Sequence, residues 1–191
     1  MVEPAEAQGG PGDAADGLLD AAERLFYEKG VQAVGMDEIR AASGIPLKRL
    51  YRLYPSKSAL LQAYLERRDA RWRAELAAYA NSRSTPEARI LAVFDWLHQW
   101  FSEPDFRGCA FVNSFGELGA VDPVVTTLAR THKRAFRDYV AGLVVATGRP
   151  AVCADAYALL AEGAITTAAV SGSPEPALRA KEAAVLLLAA T

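Results

Sequence analysis

The sequence is poor in the residues that mark several protein classes. It has two cysteines, two histidines and two methionines among 191 residues. Cys109 and Cys153 lie far apart with no C-x-x-C spacing, which speaks against a disulfide framework or a structural zinc site and fits a reducing cytoplasm. His98 and His132 belong to no H-E-x-x-H or Cys-paired arrangement, so no metal site is expected. Apolar runs such as GLVVA and VLLLAA stop well short of the roughly 18 residues a membrane span needs. No run alternates polar and apolar residues cleanly over the length of a strand. Residues 1–16 contain no Lys or Arg but four acidic residues and five Gly or Pro, so they lack the regions of a signal peptide and are expected to form a disordered tail. A nucleophile–base pair, paired carboxylates and metal ligands at workable spacing are all missing, which argues against an enzyme and against a cofactor.

What is present is helical period almost throughout. Hydrophobic residues make up 51% of the chain, enough for one or two domains with a core, and the expected fold is all-α with about nine helices. In the first helix Leu18, Leu19, Ala22, Leu25 and Phe26 share a face, with Asp16 as cap and Gly30 as stop. A second, short helix covers about Met36 to Ser43, and Gly44 ends it. Pro46 then opens a third helix in whose first turn its missing N–H costs nothing. Ser56 can cap a long fourth helix running to about Asn81. Capping residues before prolines at Thr85-Pro86, Asp122-Pro123 and Ser173-Pro174 write further starts. Helices are expected near 86–102, 108–118, 123–147, 151–171 and 175–190.

The third helix carries the clearest chemical signal. At about 100° per residue, Leu50, Tyr51 and Tyr54 fall within about 60° of Leu47, whereas Lys48, Arg52 and Arg49 fall at about 100°, 140° and 200°. One face is apolar and the opposite face is basic. Between Gly35 and Lys57 five basic residues stand against two acidic ones, in a chain of net charge −2. A nucleic-acid duplex rewards such a local field, and a short helix reached through a tight glycine turn is what enters a major groove. A solvated surface helix is the bland alternative.

The runs LLDAAERLFYEKG, MDEIRAASGI and LYRLYPSKSALL together resemble the N-terminal DNA-binding domain of the TetR/AcrR family of transcriptional regulators. The resemblance covers about residues 17–65. With the tail over 1–16 set aside, it implies a helix-turn-helix domain over 17–60 and a ligand-binding and dimerisation domain over 61–191. It further implies a double-stranded DNA operator, a small-molecule effector of unknown identity, and a homodimer formed through the last two helices. A cytoplasmic repressor is the default, with activation left open, and a helical protein-interaction module without specific DNA binding is the alternative.

Carried over to this sequence, the resemblance places Leu47, Lys48 and Arg49 at the exposed start of the recognition helix. Lys48 and Arg49 are suited to guanine edges, while Leu47 either touches a thymine methyl or packs inward. Tyr51 and Lys57 match phosphate-contacting positions, and Lys57 gains the free N–H groups and dipole of a helix start. Arg52 shares the basic face with no assigned target. Arg40 stands where the family favours a small residue, so it must reach outward, to a phosphate or to solvent. Val34-Gly35 replaces the family's Thr or Ser before helix two.

The later two-thirds of the chain is rich in aromatic residues, most of them expected in the core. A pocket implied by the resemblance makes Trp96, Trp100, Phe111, Asn113, Phe115, His132 and Phe136 candidate lining residues. Cys109 and Asn113 share a helical face in FRGCAFVNSFGELG. Only Arg107 stands near Cys109 in sequence to lower its pKa, and a free cysteine often packs as a small hydrophobe, so sensing and packing both stay open. Residues 150–191 hold 14 alanines and only 6 charged residues, a composition suited to helices buried against a second subunit.

Overall fold

Capping chemistry and helical period account for most of the architecture. The computed structural model describes residues 11–190, and among them it contains nine α-helices and no strand. In chain order these are α1 (Pro11–Lys29), α2 (Met36–Ser43), α3 (Leu47–Leu53), α4 (Lys57–Asn81), α5 (Pro86–Phe101), α6 (Ala110–Leu118), α7 (Pro123–Ala146), α8 (Ala154–Ser171) and α9 (Glu175–Ala189). Thr85 caps α5 through its hydroxyl, which accepts from the Ala88 N–H at 3.2 Å. Asp122 caps α7, its carboxylate accepting from the Val124 N–H at 2.9 Å. The Ser56 hydroxyl accepts from the Ala59 N–H at 3.0 Å at the start of α4. Each cap satisfies a donor that the first turn leaves unpaired. No helix among the described residues is long and apolar enough to cross a membrane.

Three local expectations are corrected. Residues 11–16 belong to α1, whose first residue is Pro11, a position where proline's missing N–H costs nothing, so Asp16 lies inside the helix and not at its cap. The remainder of the expected tail, residues 1–10, lies outside the described residues. Pro46 precedes α3 as its cap, with φ −59° and ψ 140°, and its carbonyl accepts from the Arg49 and Leu50 N–H groups. Gly108 has φ +83°, which no helix tolerates, so α6 begins at Ala110. A Cβ at that position would also meet the Ala169 Cβ at 3.0 Å.

The chain forms two compact units that divide inside α4, after Leu65 where the expected domain boundary was residue 60. The first unit closes over Leu18, Ala22, Phe26, Ile39, Leu50 and Leu61, all buried, with Phe26 and Tyr64 in ring contact at 6.0 Å. Gly44 takes φ +68° between α2 and α3, and its N–H bonds the Arg40 carbonyl. That left-handed residue makes the tight turn possible.

In the second unit α9 packs on α5 and α8, and α7 packs on α5, α6 and α8. Phe94, Leu97, Phe136, Val144 and Ile165 are buried there. Ion pairs fasten the helices at their margins: Lys181 to Asp95 at 2.6 Å and Arg137 to Asp155 at 2.7 Å.

Candidate nucleic-acid interface and effector cavity

The helical phase of α3 sorts its side chains into two roles. Leu50 is fully buried and anchors the helix to its unit. Lys48 and Arg52 are exposed, and Arg49 is half-buried. Among the described residues none of these three cations has an acidic partner. Tyr51 is 44% exposed and Leu47 is 41% exposed, so Leu47 is not the packing residue that one of its two readings required. Lys57 is the first residue of α4 and is half-buried. Arg40 is exposed and lies 3.5 Å from Asp37, an open i,i+3 pair of little strength. At the start of α2 Gly35 offers no side-chain cap, and its carbonyl accepts from the Glu38 and Ile39 N–H groups. The outcome is a solvent-facing row of cations on a helix of only seven residues, held by one buried leucine.

The second unit gathers most of the candidate lining residues around Trp72 of α4. Its ring meets Trp96 at 5.1 Å, Trp100 at 5.7 Å, His132 at 5.2 Å and Phe136 at 5.6 Å, all edge-on. Phe111 stacks flat on His132 at 3.9 Å. Asn113 and Phe115 do not join this group. Both are exposed, because α6 turns that side to solvent. Asn113 donates to the Arg107 carbonyl at 2.9 Å, and Phe115 lies over Gly119, where a Cβ would come within 2.6 Å of its ring.

The larger cavity, about 390 Å³, is lined by Ala70, Ala74 and Ala77 of α4 with Trp72, Arg73, Leu76, Ala135, Phe136 and Tyr139. Of the seven residues expected to line a pocket only Phe136 takes part. The alanines recur at i, i+4 and i+7, the spacing of one helix face, and that stripe is the signal the sequence offered. Two polar atoms in its wall have no hydrogen-bond partner among the described residues, Trp72 Nε1 and the Tyr139 hydroxyl. Burial raises the Tyr139 pKa, so it stays a protonated donor. An apolar wall with unused donors favours a ligand that brings its own acceptor.

A charged network lies next to this wall. The Asp69 carboxylate accepts from Arg73 at 2.8 Å and contacts His132 Nδ1 at 2.6 Å. Burial pushes the Asp69 carboxyl up, but hydrogen bonds from Arg73 and His132 outweigh it and leave it below its ordinary value. Sequence reasoning missed Asp69 and Arg73, although their i,i+4 spacing marks a helical ion pair.

Comparison with known proteins places these features among relatives. Residues 18–64 match the family described as bacterial regulatory proteins, tetR family. An uncharacterized HTH-type transcriptional regulator of Mycobacterium tuberculosis is 32% identical over 174 residues, covering 78% of this chain and 82% of the relative. The transcriptional regulator AcuR of Cereibacter sphaeroides is 28% identical over 170 residues, covering 83% and 78%. The crystal structure of a TetR-family transcriptional regulator from Streptomyces coelicolor superposes with a TM-score of 0.83 at 28% identity, covering 91% of this chain and 94% of that one.

Proposed function

The chain belongs to the TetR family of bacterial transcriptional regulators, with a DNA-binding helix-turn-helix, and from that premise we propose that it is a repressor released from its operator by a small molecule. The observation that carries the reading is the basic face of α3, unpaired among the described residues, with Lys48 and Arg52 exposed and Arg49 half-buried on a mildly acidic protein. Lys48 and Arg49 read base edges, Tyr51, Lys57 and Arg40 hold phosphates, and Leu47 meets a thymine methyl. Charge neutralised at the backbone releases counterions, so affinity falls steeply with salt.

A homodimer through α8 and α9 is part of this reading. On α8 Leu159 is 72% and Val170 is 85% exposed, and Gly163 and Thr166 lie between them along one stripe. On α9 Val185 and Leu186 are exposed as well. An apolar face with small residues at its centre suits close helix pairing, and isolated apolar surface of this kind is costly in water. A twofold pair would present two recognition helices about 34–36 Å apart to a pseudo-palindromic site.

The effector is an apolar compound bearing a hydrogen-bond acceptor, bound in the cavity of about 390 Å³ where Trp72 Nε1 and the Tyr139 hydroxyl are unused. Release follows from population shift: α4 carries Trp72 and Arg73 on the cavity and begins at Lys57, so a ligand favouring one setting of α4 disfavours the DNA-bound one. Gel-shift titration against DNA from the gene's own promoter region tests the reading. Wild type is expected to bind with strong salt dependence, and Arg49→Ala to lose base preference. A protein that binds no such DNA at any salt concentration overturns it.

A further inference from the structure

Cys109 precedes α6 and is buried, yet it is surrounded by charge. Lys133 Nζ of α7 lies 3.4 Å from its sulfur and is held by Glu162 of α8 at 2.6 Å. His132 lines the same small cavity as the thiol. Its Nδ1 is committed to Asp69 of α4 at 2.6 Å, which leaves Nε2 as the ring nitrogen not engaged by Asp69. Residues of α4, α7 and α8 thus line one small cavity with the sulfur, and Lys133 touches it directly. The sequence showed only Arg107 beside it, because its real neighbours are 23 and 24 residues away along the chain.

A small cavity of about 10 Å³ adjoins the thiol, lined also by Arg68, Trp72, Trp100, Phe111 and Ile165. It has room for about one water-sized molecule. Trp72, only 7% exposed, keeps its Nε1 without a partner among the described residues. The charged groups facing the sulfur's surroundings are Arg68 and Asp69 from α4, His132 and Lys133 from α7, and Glu162 from α8. Burial pushes the Cys109 thiol up, but the His132 hydrogen bond, the charges of Lys133 and His132 and the Val112 N–H outweigh it, leaving the thiol below its ordinary value. Burial likewise pulls Lys133 down, but Cys109 and Glu162 more than offset it, so its ammonium stays charged.

We propose that Cys109 is a redox-sensing thiol, oxidised by hydrogen peroxide whose reacting oxygen enters this cavity, and that its oxidised form weakens DNA binding. The Nε2 of His132 takes the thiol proton, with Asp69 stabilising the imidazolium and Lys133 the thiolate. Sulfur attacks one peroxide oxygen, forming the S–O bond as the O–O bond breaks. The departing hydroxide leaves with the bonding pair and takes the proton from His132, so it departs as water. Sulfur is oxidised to sulfenic acid, peroxide is reduced to water, and the imidazole returns to its starting state. The added oxygen fills the small cavity against Trp72 of α4. The effect on DNA rests on the regulator reading; the thiol chemistry does not.

The test treats the purified full chain with hydrogen peroxide, traps sulfenic acid with dimedone, and reads the Cys109 and Cys153 peptides by mass spectrometry. Cys109 is expected to react at least about tenfold faster than half-buried Cys153 at neutral pH, from its larger thiolate fraction. Lys133→Met is expected to slow it about tenfold and move its pH–rate profile upward, and Lys133→Arg to restore most of the rate. Equal reactivity of the two cysteines in the wild type overturns the chemistry without recourse to any variant. The bulkier tert-butyl hydroperoxide is expected to react more slowly, and equal rates would overturn the selection by size.

Gel shifts on the same samples are expected to show weaker binding after oxidation, and no peroxide effect in Cys109→Ser. Oxidation with unchanged affinity overturns the sensing role while leaving the regulator reading intact. Untreated protein that binds no DNA overturns both of these, and the labelling ratio still decides the thiol chemistry.

Discussion

Among the described residues the α3 cations Lys48, Arg49 and Arg52 have no acidic partner, whereas around the cavities of the second unit charges come matched. Asp69 holds His132 and Arg73, and Lys133 holds Glu162. The difference follows from solvent. An exposed ammonium or guanidinium keeps its hydration and stays available to a polyanion, while a charge near a core must find a partner or lose its ionisation. On the proposed reading the α3 cations are a binding surface, while paired charge in the second unit holds helices in register.

The contrast breaks most sharply where the paired side loses its packing. Phe136→Ala removes a buried ring beside Trp72 and is expected to cost about 3–5 kcal/mol, seen as a lower denaturant midpoint. Asp69→Asn should cost about 1–3 kcal/mol, since it leaves His132 and Arg73 without their anion. Its pH signature has a defined sign. The folded-state pKa of Asp69 is depressed, so its contribution is fully present above about pH 4 and is lost as pH falls through the lowered folded value. In the Asn variant this acid-side loss should be smaller in equilibrium unfolding.

In the first unit, Arg49→Ala is expected to cost about 1–3 kcal/mol of operator affinity by gel shift, with stability nearly unchanged. Lys57→Ala should weaken all sequences alike and reduce the salt slope of binding by about 0.9. Arg40→Ala is the smallest expected effect, within about 0.5 kcal/mol of wild-type stability, because its pair with Asp37 is exposed.

Sequence legibility follows the same divide. The apolar and basic faces of α3 need only helical phase, and the starts at Thr85-Pro86 and Asp122-Pro123 need only local capping, so both can be read along the chain. The start of α1 was misjudged because its Gly- and Pro-rich composition outweighed the helix-initiating role of Pro11. Cavity membership is a tertiary property: Tyr139 and Ala70 become neighbours only once α7 lies beside α4, and Asn113 was expected inside because an amphipathic helix does not declare which face meets which partner. The surroundings of Cys109 were hidden for the same reason.

The length of α4 has a consequence in simple mechanics. It runs unbroken for 25 residues from Lys57 to Asn81. At about 1.5 Å per residue it is roughly 38 Å long. The division between the two units falls within it, after Leu65, so the chain passes from one to the other through helical hydrogen bonds and not through a loop.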